Sequence, residues 1–130
     1  MVDMLNWVVV GIGDITTKRV IPAILAEPRS CLYGVVSRDP EKGRRHAERV
    51  WANLDDALAD PEVHAVYVAT PVVLHAPQTI AALGAGKHVL CEKPMAMDYA
   101  EACRMTGAAR ESGRRLGIAY YRRMYPKLQR

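Results

Sequence analysis

Leu5-Asn6-Trp7-Val8-Val9-Val10-Gly11-Ile12-Gly13-Asp14-Ile15-Thr16 is the stretch on which the fold of this 130-residue chain turns. A short, valine-rich apolar run cut off abruptly by glycine reads as a strand buried on both faces. The apolar positions that follow, Ile15, Val20, Ile21, Ala23, Ile24 and Leu25, fit one helical face and predict a helix from about Asp14 to Glu27, closed by Pro28. Pro22 falls inside it, where a proline removes a hydrogen bond and tends to kink the helix.

The same strand-then-helix rhythm continues downstream. Cys31 to Val36 is a second short apolar run, and Asp39-Pro40 supplies an N-cap followed by proline at the first helical position, predicting a helix through about Val50. Leu54 to Leu58 reads as a helical turn, Ala65 to Ala69 and Lys87 to Cys91 as strands, and His75 to Ala85 as a helix stopped at Gly86. Tyr99 to Gly113 has helical spacing, and Leu116 to Tyr121 reads as an edge strand. Such alternation predicts an α/β fold, a doubly wound parallel sheet of the Rossmann type with helices on both faces. Residues 1–121 form one domain on this reading, and residues 122–130 lead out of it.

Composition excludes several classes of function. Half the residues are apolar and a quarter charged, as in an ordinary soluble domain. No apolar run approaches the roughly 18 to 20 residues of a membrane span, and Asp3 stands where a secretory signal would carry basic residues. Cys31, Cys91 and Cys103 are odd in number and form no CxxC pair, which points to a reduced, cytoplasmic setting without a disulfide scaffold or metal module. Residues 104–130 hold eight Lys or Arg against one Glu, while residues 1–103 hold ten basic and thirteen acidic side chains. That basic end carries no recognisable nucleic-acid reader motif, so neither nucleic acid nor membrane is the expected partner.

The loop after the first strand is a GxGxxG-like turn with Thr16 in the third position. Gly11 allows the tight turn, and Gly13 lets backbone N–H groups approach a pyrophosphate at the positive end of the helix. Ile12, Asp14 and Ile15 complete the loop, and the Asp14 carboxylate must point away from any phosphate. About 20 residues further on, an acidic residue would take the ribose of NAD; here stand Ser37 and Arg38, suited instead to a 2′-phosphate and favouring NADP. Asp39 would support NAD in a shifted register, but serves better as the cap before Pro40. Glu92 and Lys93 end a strand where ligands sit in such sheets, with an exposed ion pair as the plainer alternative. Thr70-Pro71 ends another strand, and His75, opening the next helix, reads more readily as a cap or core-edge residue than as an acid or base.

On these motifs the chain resembles the N-terminal domain of the glucose–fructose oxidoreductase, inositol dehydrogenase and MocA family. The resemblance rests on Gly11-Ile-Gly-Asp-Ile, Ser37-Arg-Asp-Pro-Glu-Lys, Ala69-Thr-Pro with His75, and above all Ala85-Gly-Lys-His-Val-Leu-Cys-Glu-Lys-Pro-Met. It implies that Gly11, Gly13, Ser37, Arg38, Thr70, Pro71, His75, Glu92 and Lys93 line a nicotinamide dinucleotide. It further implies that Lys93 reaches the carbon where hydride moves, and that the Lys93-Pro94 bond is cis. Thr16 and the tyrosine ahead of Arg122-Arg123 depart from the family pattern. The family's second domain, which carries an Asp and a His of the active site, has no counterpart in these residues. The expectation is therefore the cofactor half of an NADP- or NAD-dependent oxidoreductase acting on a sugar- or polyol-like substrate, prone to self-association through uncovered apolar surface. A non-catalytic cofactor sensor or scaffold is the alternative.

Overall fold

The computed structural model describes residues 4–120. Six strands form one sheet: β1 (Leu5–Val10), β2 (Ser30–Val36), β3 (Val50–Trp51), β4 (Ala65–Val68), β5 (His88–Glu92) and β6 (Leu116–Ala119). All neighbours pair in parallel, in the order β3-β2-β1-β4-β5-β6. The chain builds outward from β1 on one side and then returns to build outward on the other. This reversal opens a crevice beyond the carboxyl ends of β1 and β4, the switch point where such sheets bind ligands. Burial explains the position of β1, since Val8, Val9 and Val10 are essentially inaccessible on both sides.

The helix after β1 opens at Asp14, widens to π-helical geometry over Thr16–Val20 and continues as α1 (Ile21–Ala26). Ile21 N–H donates to the Thr16 carbonyl, five residues back. Pro22 has no N–H and its ring collides with the carbonyl four residues back in a regular helix, so the wider turn takes the place of the expected kink.

The predicted helix from Asp39 to Val50 is much shorter. α2 is Pro40–Arg44, and Val50 belongs to β3, paired with Val35. Tertiary packing decides this: a Cβ on Gly43 would lie 2.7 Å from Val50 Cγ1, so the chain folds back onto the glycine and spends its β-branched and aromatic residues in an edge strand. The remaining helices, α3 (Leu54–Leu58), α4 (His75–Gly84) and α5 (Tyr99–Ser112), fall where the sequence placed them, α5 ending at Gly113 with φ +66°. A 3-10 turn, Val72–Leu74, leads into α4. β6 ends at Ala119; Tyr121 and the expected connection 122–130 lie outside the described residues.

The two faces of the sheet differ. Val8, Val10, Val66, Val68, Val89 and Cys91 pack under α3, α4 and α5, which contribute Ala57, Ala82, Leu83 and Met105. On the other face Val9, Val35 and Tyr67 meet Val20, Ile21 and Ile24. Beyond α1 that face is open: Trp7, Tyr67, Leu90, Ala119 and Tyr120 line an apolar groove of about 960 Å³.

Candidate functional site

The crevice between β1 and β4 holds a cleft of about 500 Å³ whose walls include Gly11, Ile12, Ser37, Arg38, Lys42, Asn53, Thr70 and Pro71. Gly11 sits at φ +94°, and a Cβ there would come within 2.8 Å of the Ala69 carbonyl oxygen, so only glycine carries the turn against the end of β4. Gly13 differs, because a Cβ built on it meets nothing within 4 Å. Protein packing does not require this glycine. Its bare backbone leaves room beside the start of the helix.

Thr16 changes the donor set that the loop offers. It is 1% exposed, and its Oγ1 accepts from Gly13 N–H at 2.8 Å while donating to the Gly13 carbonyl at 3.0 Å. The Gly13 N–H expected on sequence grounds to face a phosphate is therefore already bonded within the loop. The Asp14 side chain is 93% exposed and lies 3.9 Å from Lys18 Nζ.

At the end of β2 the buried Ser37 hydroxyl donates to the Asp39 carbonyl at 2.9 Å and accepts from Asp39 N–H at 3.2 Å. It shapes the turn before it serves any ligand. Asp39 caps α2, its Oδ1 accepting from Glu41 and Lys42 amides at 3.1 and 3.3 Å. One oxygen of this carboxylate is thus committed to the cap, and the residue itself lies on the cleft wall. Arg38 remains exposed on the cleft wall, joined by Lys42, which sequence reasoning missed. Its signal was present, because a cation three residues past an N-cap comes round the first turn toward the strand end that carries Arg38.

At the ends of β4 and β5 the expected residues divide. Thr70 and Pro71 line the cleft, while Ile15 and Glu92 lie on the open apolar groove of the other face. Glu92 Oε2 accepts from Tyr67 OH at 2.5 Å, and burial, then the Glu92 bond, raises the phenol well above its ordinary pKa. Glu92 Oε1 also accepts from Lys93 N–H at 3.3 Å. No Glu92–Lys93 side-chain ion pair is found among the described residues. Lys93 is exposed and its bond to Pro94 is cis. His75 is buried at 1% exposure with both ring nitrogens facing backbone carbonyls, so it stands behind the site and not on its surface. Among the described residues no helix is long and apolar enough to cross a membrane.

The sequence model of the oxidoreductase family with an NAD-binding Rossmann fold, Gfo/Idh/MocA, matches residues 5–120. The chain belongs to the Gfo/Idh/MocA oxidoreductase family. Its glycine loop, six-stranded parallel sheet and Glu-Lys-Pro turn make up the NAD(P)-binding domain of that family. It is 39% identical over 125 residues to a 1,5-anhydro-D-fructose reductase of Ensifer adhaerens, covering 92% of this chain and 37% of the relative. To a dTDP-3,4-didehydro-2,6-dideoxy-α-D-glucose 3-reductase of Streptomyces violaceoruber it is 43% identical over 109 residues, covering 81% of this chain and 32% of the relative. Among solved structures, a 3-ketoreductase from Actinomadura kijaniata in complex with TDP-benzene and NADP superposes with a TM-score of 0.92 at 35% identity, over 98% of this chain and 42% of that one. The WlbA dehydrogenase from Bordetella pertussis, with NADH and UDP-GlcNAcA, gives 0.89 at 33% identity over 98% of this chain and 38% of its own. The Gfo/Idh/MocA chain described here thus spans about two fifths of the length of these relatives or less.

Proposed function

We propose that this Gfo/Idh/MocA domain, residues 1–121, holds NADP in preference to NAD and serves a cytoplasmic enzyme that moves hydride to or from a hydroxyl or carbonyl carbon of a sugar-like substrate. The observation that carries the reading is a cleft beside the Gly11 turn with two cations on its wall, Arg38 and Lys42, where Oδ1 of the neighbouring Asp39 carboxylate is bound into the helix cap. Gly11, Ile12, Gly13, Asp14 and Ile15 contribute the loop backbone toward the pyrophosphate. Ser37 sets the turn that presents Arg38, and Thr70 and Pro71 form the opposite wall. Guanidinium and ammonium groups meet a 2′-phosphate with charge-assisted bonds that a ribose hydroxyl does not reward. The bound nicotinamide would supply the hydride. Lys93, exposed at the end of β5, is the catalytic residue on this reading, with Glu92 and Tyr67 fixing the backbone from which it extends. The sugar-like substrate is supported by the reductases named above, which act on anhydro- and deoxysugars.

The test is to titrate the chain with NADPH and NADH, unaltered and as Arg38→Ala and Lys42→Ala. Each substitution is expected to weaken NADPH by roughly 1 to 3 kcal/mol, the scale of charge-assisted hydrogen bonds, and to leave NADH unchanged. NADPH affinity that is indifferent to both substitutions would remove the NADP preference.

A further inference from the structure

The histidines with assigned ring contacts divide by the chemistry of their partners. His64 Nδ1 lies 3.0 Å from the Asn6 amide, and His88 Nδ1 lies 3.0 Å from the Arg115 amide. Each of those nitrogens accepts from a backbone N–H, so it keeps its lone pair and the ring proton sits on Nε2. His75 is placed in the opposite way. Its Nε2 is 2.7 Å from the Thr70 carbonyl oxygen and its Nδ1 is 2.8 Å from the Pro94 carbonyl oxygen. A carbonyl oxygen only accepts. A neutral imidazole can satisfy one of the two and then aims a lone pair at the other, in a site 1% exposed where water does not step in.

We propose that His75 is a positioning residue that donates from both ring nitrogens and thereby clamps the Lys93-Pro94 turn to the Thr70 turn. The two turns lie beyond β4 and β5, and the clamp ties the wall of the cleft to the segment carrying Lys93. A cation at the start of a helix opposes the helix dipole, and here the two carbonyl dipoles directed at the ring offset that cost. The first turn of α4 contains no acidic residue, so the offset comes from these two carbonyls, which lie outside the helix.

The clamp has a firm side and a dependent side. The Thr70 turn keeps other ties, with Thr70 Oγ1 donating to Gln78 Oε1 at 2.5 Å and Leu74 N–H donating to the Pro71 carbonyl at 2.9 Å. The Pro94 carbonyl is held through His75. Loss of the ring therefore frees the Pro94 carbonyl and loosens the Lys93-Pro94 turn, which among the described residues keeps only the bonds of Lys93 N–H to Glu92 Oε1 and of Cys91 Sγ to the Met95 carbonyl, while the cleft wall at Thr70 stays in place. The role of Lys93 rests on the function proposed above, whereas the protonation of His75 does not.

Two measurements test the clamp. Long-range ¹H–¹⁵N correlation on the labelled, unaltered chain near neutral pH is expected to place both ring nitrogens of His75 in the protonated range, with one bare nitrogen each on His64 and His88. A bare nitrogen on His75 would overturn the proposal without any variant having to fold. The second compares NADPH with 2′,5′-ADP, which carries only the adenosine end of the cofactor. His75→Gln is expected to weaken NADPH about tenfold, as loss of a buried charged hydrogen bond does, and to leave 2′,5′-ADP binding unchanged. Equal loss of both ligands would make His75 a residue of the fold at large and remove its positioning role. If the unaltered chain binds neither ligand, the cofactor reading fails on its own, and the ring nitrogens still decide the clamp.

Discussion

The two faces of the sheet are built from the same strands and the same kinds of residue, yet only one is closed. Val66, Val68, Val89 and Cys91 point to the face under α3, α4 and α5 and are at most 4% exposed. Tyr67, Leu90 and Ala119, alternating with them along β4, β5 and β6, point to the face that α1 covers only in part and line the apolar groove. Strand alternation guarantees that every second side chain goes to the other side; it does not guarantee a helix there to receive it. The closed face holds the larger buried cluster, and the open one leaves apolar side chains uncovered.

Thiol chemistry should report the closure of the covered face most sharply. Burial pushes the Cys91 thiol up to about 11, with the Glu92 charge adding to the rise. At mildly alkaline pH Cys91 is therefore protonated as well as inaccessible, and its reactivity should increase with pH until that value is passed. A thiol reagent is expected to modify exposed Cys103 promptly and Cys91 only after denaturation. Rapid modification of two or more thiols in the folded chain, with Cys91 among them by mass mapping, would mean that the closed face opens readily.

Core truncation comes next in size. Leu83, wholly buried under the closed face, should cost about 2 to 5 kcal/mol as Leu83→Ala, whereas Leu90→Ala, half-buried on the groove, should cost about 1 kcal/mol or less. Urea unfolding of the two variants measures the difference. Similar losses would mean that the groove is covered in solution.

The smallest effect concerns that covering. An apolar groove of about 960 Å³ should bind a hydrophobic dye and promote self-association, and Leu90→Gln should lower both. Sedimentation at a series of concentrations, with dye fluorescence alongside, provides the reading. A monomer that ignores the dye would remove the open face as an interaction surface.

Much of this was legible in single residues. Gly11 marked the turn after β1, Asp39-Pro40 marked the start of α2, and Gly113 marked the end of α5, because each acts through its own backbone or through amides two or three residues away. The places where the reading fell short all involve partners distant in the chain or in shape. β3 exists because Val50 returns to Gly43 and pairs with β2, a contact outside the helical pattern that surrounds it. Lys42 is the exception, since its place on the cleft wall follows from its spacing of three residues from the Asp39 cap.

Apart from β3, the sequence by itself determined the order of strands and helices, the glycine loop and the charged end of β2, since hydrophobic period, turn residues and caps are local properties of the chain. Only the tertiary structure decided how polar groups were spent. Tyr67 met Glu92 across 25 residues of chain, and His75 reached Pro94 across 19. Each of these groups can bond several partners equally well in isolation. Burial fixes one of them, because a polar group shut away from water must pair with whatever the fold brings within reach.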